Sequence, residues 1–137
     1  MKIKIICVGK IKEKYIISGI SEYSKRLSKY CNIDIIEVMD ENLIQYPNLE
    51  EIEIIKIKEE NKILKHINDK DYIISLALTG KQLTSEELAD NINHLTITGY
   101  STITFIIGGS YGLSRKYIKK IKHAFKFFKI NIPTSII

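Results

Sequence analysis

The constraint that most limits how this chain can fold lies at Ser101–Gly112, STITFIIGGSYG. Thr102 to Ile106 are β-branched or aromatic at nearly every position, and Ile107 extends the run straight into Gly108-Gly109-Ser110-Tyr111-Gly112. A run of this length and composition reads as a buried strand ending in a glycine turn. Ser114 is placed to cap a helix beyond it. Adjacent glycines allow positive φ and let a ligand reach the main chain where a Cβ would block it. In an open α/β sheet the carboxyl ends of strands are where small molecules bind. A tight strand-to-helix turn with no ligand is the alternative reading of the same residues. The spacing is not GxGxxG and the P-loop lysine is absent, which disfavours ordinary dinucleotide and triphosphate binding.

The rest of the chain supplies partners for that strand. Lys2–Val8 (KIKIICV) alternates and then turns apolar before Gly9-Lys10, the pattern of a strand entering the centre of a sheet. From Glu13 to Lys29, Tyr15, Ile16, Ile20, Tyr23 and Leu27 recur at helical steps, with Tyr30 continuing the series. Tyr23 and Tyr30 on that stripe are expected in the core or an interface, with stacking on RNA as the alternative. Ile33–Val38 is the second strand, and Asp40–Asn48 a polar loop containing Pro47. A helix is expected over Leu49–Ile67, its first turn acidic at Glu50, Glu51 and Glu53, as the helix dipole favours. Tyr72–Leu78 is the third strand, with a turn at Thr79-Gly80-Lys81 facing the same crevice as the glycine turn. Thr84 and Glu87 form a capping box for a helix running to about His94. After the central strand come a basic helix over Ser114–His123 and a fifth strand over Phe125–Ile130. Strands alternating with helices in this way imply one parallel-sheet α/β domain covered on both faces.

Composition narrows function. With 137 residues, 45% of them hydrophobic, the chain suits a single domain. The two cysteines, Cys7 and Cys31, show no CxxC spacing, so neither a disulfide framework nor a zinc site is expected, and a reduced cytoplasmic setting fits. His66, His94 and His123 lack ligand spacing, so no metal is expected. Lys2 and Lys4 interrupt the first apolar run, and neither a leader nor a membrane segment is expected. The net charge of +5 is unevenly distributed: every acidic residue lies at or before Asp90, whereas residues 91–137 carry Arg115, Lys116, Lys119, Lys120, Lys122, Lys126 and Lys129 and no acid. Such a field attracts a polyanion, nucleic acid being the usual one. A solvated lysine-rich helix face would read the same way. No nucleophile elbow or paired-carboxylate motif supports hydrolysis.

Three collinear segments carry a resemblance: Met1–Val38, then ILKHINDKDYIISLALTGKQLTSEELA, then TFIIGGSYGLS. Together they resemble the RlmH family of SPOUT-class RNA methyltransferases. The resemblance implies a homodimer with a trefoil-knotted C-terminal region, S-adenosyl-L-methionine as cofactor, and methylation of N3 of a pseudouridine in 23S rRNA within the ribosome. Carried over by position, the cofactor contacts would be Leu76, Gly108 and the segment Phe127, Phe128, Lys129, Ile130, Asn131 and Ile132. RNA contacts are expected from Arg115, Lys116, Lys119, Lys120 and Lys122, and no catalytic proton acceptor is identified. The family usually has serine where Phe128 stands. It continues past the proline with His-Gln, a further helix and a Tyr-His-Lys end, whereas Pro133 here is followed by Thr134-Ser135-Ile136-Ile137. The expectation from that departure is a shortened member with an incomplete knot and cofactor site. The alternative function is then a catalytically deficient chain that retains weak RNA binding.

Overall fold

The computed structural model describes residues 1–42, 44–113 and 123–126. Its order is β1 (Lys2–Val8), α1 (Lys14–Leu27), β2 (Asn32–Val38), α2 (Leu49–Leu64), β3 (Tyr72–Gln82), α3 (Ser85–Ile97), β4 (Thr102–Ile107) and β5 (His123–Lys126). The five strands form one parallel sheet in the order β2-β1-β4-β3-β5. The apolar strand that constrained the sequence reading is therefore the middle of the sheet, with β1 and β3 bonded to its two edges.

Period-two alternation along each strand divides the core into two layers. On one face Ile103 and Phe105 of β4 pack with Tyr72 and Ile74 of β3 and with Leu95 from α3, Leu88 and Ile92 lying at the margin. On the other, Ile106 and Ile6 pack with Val38 and with Ile63 from α2. Local chemistry sets the helix starts. The Asn48 side chain accepts from the Glu51 N–H at 2.8 Å, and the Thr84–Glu87 capping box is present in both directions. The helix expected to run to Ile67 stops at Leu64, and the next one extends past His94 to Ile97.

Two features depart from the sequence reading. Thr79-Gly80-Lys81, expected as a turn, stays within β3, which continues to Gln82 through a register shift between Leu76 and Lys81. The strand can absorb extra residues there because its partner β5 is an edge strand, where a bulge leaves the central pairing intact. His123, expected at the end of the basic helix, instead opens β5. The other residues of that expected helix, and the C-terminal segment expected to be knotted, lie outside the described residues.

Lys4 occupies the strand position that sequence reading assigned to a simple interruption of an apolar run. It is buried, and its Nζ donates to Asp71 Oδ2 at 2.9 Å and to the His66 carbonyl at 2.7 Å. Thr104, opposite Lys4 in the β1–β4 register, donates to the same Asp71 oxygen at 3.0 Å, and the Asn68 N–H does so at 3.1 Å. Burial by itself would raise the Asp71 pKa; the hydrogen bonds from Lys4, Asn68 and Thr104, with the charge of Lys4, outweigh it and hold the carboxyl below its ordinary value. A carboxyl depressed in the native state adds stability above its unfolded pKa and loses it as pH falls through the folded value. Stability to urea should therefore drop as pH falls below about 4, and Asp71→Asn should remove that part of the pH dependence. Because either single change strands a buried polar partner, Lys4→Met should lower the unfolding free energy by about 3–5 kcal/mol, and the double variant Lys4→Met/Asp71→Leu by less.

Candidate functional site at the strand ends

The parallel register brings one row of residues to the same level across the sheet: Glu37, Cys7, Ile107, Leu76 and Phe125. At or just beyond this row β1, β2 and β4 reach their carboxyl ends, whereas β3 continues to Gln82. The strands stay parallel, but the direction of the connections reverses between β1 and β4, since β1 leads to β2 on one side and β4 precedes β5 on the other. Such a reversal opens a crevice between the two following loops. Here those loops begin at Gly9, with φ 99° and its N–H on the Val38 carbonyl at 2.8 Å, and at Gly108.

The glycine turn is built differently from its sequence expectation. The positive φ belongs to Gly112, at 76°, and not to the adjacent pair Gly108-Gly109. The turn closes through the Gly112 N–H on the Gly109 carbonyl at 2.9 Å, with a bridge between the same residues. Gly108 and Gly109 are crowded, the first by backbone and the second by side chains. A Cβ on Gly108 would lie 3.0 Å from the Gly112 carbonyl carbon, and one on Gly109 would lie 2.7 Å from Glu59 Oε1 and 3.1 Å from Val8 Cγ1.

Glu59 is the residue that sequence reading missed. It lies on α2 and is only 3% exposed, although its charge marks it as a surface residue. Oε2 accepts from the Glu41 N–H at 3.1 Å, which ties the loop after β2 to α2, and Lys62 adds a second tie through the Met39 carbonyl at 2.8 Å. Oε1 is buried with no hydrogen-bond partner among the described residues and abuts the glycine turn. Burial pushes the Glu59 pKa up; the Glu41 N–H counters this in part, while Asp40 and Glu41 add like charge. The available signal was positional: Glu59 is four residues after Ile55 and four before Ile63, on the buried stripe of α2.

Of the expected cofactor contacts, Leu76 and Gly108 come together: Leu76 pairs with Ile107, the residue before Gly108. Leu76 and Ile107 are both half-buried. Phe127 to Ile132 lie outside the described residues, as do Arg115, Lys116, Lys119, Lys120 and Lys122. Among the described residues no group of His, Cys, Asp or Glu could hold a metal ion. Cys7 and Cys31 are free thiols.

This arrangement defines a parallel-sheet α/β protein whose strand-end loops are shaped by glycine at the point where strand order reverses. A family model described as "Predicted SPOUT methyltransferase" matches residues 1–137. Proteins named Ribosomal RNA large subunit methyltransferase H align with nearly the whole chain. That of Clostridium botulinum strain Hall is 52% identical over 97% of this chain and 84% of its own length. That of Streptococcus uberis is 50% identical over the same shares. The chain therefore belongs to the SPOUT methyltransferases and, within them, to the RlmH family.

The turn geometry predicts distinct outcomes for the two adjacent glycines. Gly109→Ala should be destabilising, and Glu59→Ala should relieve it, with a coupling of about 0.5–3 kcal/mol in a double-mutant cycle of urea unfolding. Gly108→Ala should not be relieved, because its obstacle is backbone. A carboxyl whose pKa is raised in the native state makes folding less favourable once it ionises. Stability should fall as pH rises above about 4 until the raised Glu59 value is passed, and Glu59→Gln should flatten that decline.

Proposed function

We propose that this chain transfers a methyl group from S-adenosyl-L-methionine to N3 of a pseudouridine in 23S rRNA, acting on the ribosome in the cytoplasm as a homodimer. The observation that carries the reading is the juxtaposition of Leu76 and Ile107 at one level of the sheet, with Gly108 directly after Ile107, beside the reversal of connections between β1 and β4. Family membership and the relatives' name supply the reaction class and the kind of RNA.

The residues fit the cofactor. Leu76 and Ile107 offer half-buried apolar walls suited to a purine ring, and a strand end offers main-chain groups no longer used by the sheet. Gly108 keeps the turn tight against Gly112, so the backbone beyond β4 stays close to that wall. The bound cofactor supplies an electrophilic methyl on a sulfonium. The protein's part is alignment, since forming the N–C bond as the C–S bond breaks needs the acceptor nitrogen in line with the leaving sulfur, and the N3 proton would pass to water. Leu76 and Ile107 would orient the cofactor end of that line, and Phe127 to Ile132 would complete its binding. The target base must leave its stack to enter the crevice. The basic residues Arg115, Lys116, Lys119, Lys120 and Lys122 hold phosphates while it does so.

Isothermal titration with S-adenosyl-L-methionine, followed by methyl transfer to ribosomes carrying the unmethylated pseudouridine, tests the reading. Saturable binding and methylation at N3 are expected. Gly108→Ala should weaken cofactor binding by about tenfold, the equivalent of one main-chain hydrogen bond lost. A folded, dimeric parent chain that neither binds the cofactor nor methylates ribosomes would overturn the reading.

A further inference from the structure

Helix α1 carries a hydrophobic stripe that does not enter the core. None of its residues is buried; Ile16 and Ile20 are half-buried, whereas Tyr15 is 70% and Tyr23 65% exposed, and Tyr30, just past its end, is 81% exposed. Of the expectation that Tyr23 and Tyr30 lie in the core or an interface, the core half is thereby corrected. Only the isoleucine side of the stripe turns toward the sheet, and the aromatic side is left in solvent.

Cations lie along the same end of the helix. Lys25 and Arg26 occupy the last turn of α1, Lys29 follows, and the Arg26 guanidinium lies 5.8 Å from the centre of the Tyr23 ring. Glu22 is the acid facing this group, paired with Arg26 at 2.9 Å. Basic residues at a helix C-terminus complement the helix dipole, which explains their position. It does not explain two large rings held in water beside them. Tyr30 and Lys29 form the shared wall of two open depressions. One, of about 500 Å³, reaches Met1, Ser28 and Asn32; the other, of about 370 Å³, reaches Lys25 and Arg26.

We propose that the Tyr23–Tyr30 end of α1 is a single-stranded RNA contact, with a base stacked on Tyr30 and the neighbouring phosphates held by Lys25 and Lys29. Exposed aromatic faces interleaved with cations are what sequence-tolerant binding of unpaired nucleotides requires. A protein partner is disfavoured because this end of the helix is crowded with lysine, which protein interfaces deplete. The contact lies at the amino ends of β1 and β2, where Met1 and Asn32 stand, and not at the carboxyl ends near Gly9 and Gly108. Across β1 that separation is roughly 20 Å. One RNA must therefore extend well beyond its acceptor nucleotide to reach both places. This inference rests on the rRNA reading for the RNA's identity, but not on methyl transfer.

The test is equilibrium binding of a labelled 23S rRNA transcript to the full chain without cofactor, at several salt concentrations. Tyr30→Ala should weaken binding roughly tenfold and Tyr30→Phe should restore it, because the ring and not the hydroxyl stacks. Lys25→Ala/Lys29→Ala should reduce the slope of log affinity against log salt by roughly 1 to 2. S-adenosyl-L-methionine titration should be unchanged in every variant. Parental affinity and slope in all of them would overturn the proposal. So would a Tyr30→Ala protein that changes oligomeric state with RNA affinity intact, which would mark a protein interface. Absence of methyl transfer with the expected binding losses would overturn the catalytic reading and leave this one standing.

Discussion

The buried Lys4–Asp71 pair is the contact on which the central architecture depends. It joins the first strand to the start of the third, takes a hydrogen bond from Thr104 on the strand between them, and reaches the end of α2 through the His66 carbonyl and the Asn68 N–H. A charge pair in so apolar a place contributes little net stability against a hydrophobic alternative, since desolvation offsets most of the attraction. What it supplies is specificity. Lys4 opposite Thr104 sets one alignment of β1 against β4, and a slip by one residue would bury an unpaired ammonium group and turn the strand's apolar side chains outward. The row Cys7, Ile107, Leu76 and Phe125 at the strand ends follows from that alignment.

At the strand ends the same logic appears with the opposite charge balance. Glu59 fills the space that a Cβ on Gly109 would occupy, and its second oxygen holds the Glu41 N–H. The glycine turn is thus wedged from the α2 side, while Gly112 supplies the left-handed residue that closes it. With no donor to Oε1 among the described residues, Glu59 is a costly group to bury. Such costs collect where a backbone is held for function rather than for stability.

The stripe on α1 shows how one periodic pattern can serve two ends. Ile16 and Ile20 meet the rest of the protein halfway, and Tyr15, Tyr23 and Tyr30 remain outside. Tyrosine suits that divided position, with a large apolar ring and a hydroxyl that tolerates water.

Much of this protein was legible in the sequence because the signals were local. Strand and helix order, the Thr84–Glu87 capping box and the glycine turn after Ile107 each arise from residues within a few positions of one another. The neighbouring placement of Leu76 and Gly108 was legible by a different route, through resemblance to a family, since nothing in the spacing of residues 76 and 108 foretells a shared register. Tertiary structure alone decided the rest. Lys4 and Asp71 are separated by 67 positions, and no periodicity pairs them. Glu59 reads as a surface charge until the turn at Gly109 is folded over it. Gly108 is crowded by backbone, Gly109 by the end of the Glu59 side chain, and Gly112 is favoured by its own dihedral angle, a distinction invisible while all three are only glycines in a row of letters. Local sequence determines which elements form, because propensity, capping and period act within a few residues. Which charges are buried, which glycines are crowded and which tyrosines stay in water depends on contacts between distant segments, and those exist only once the sheet has closed.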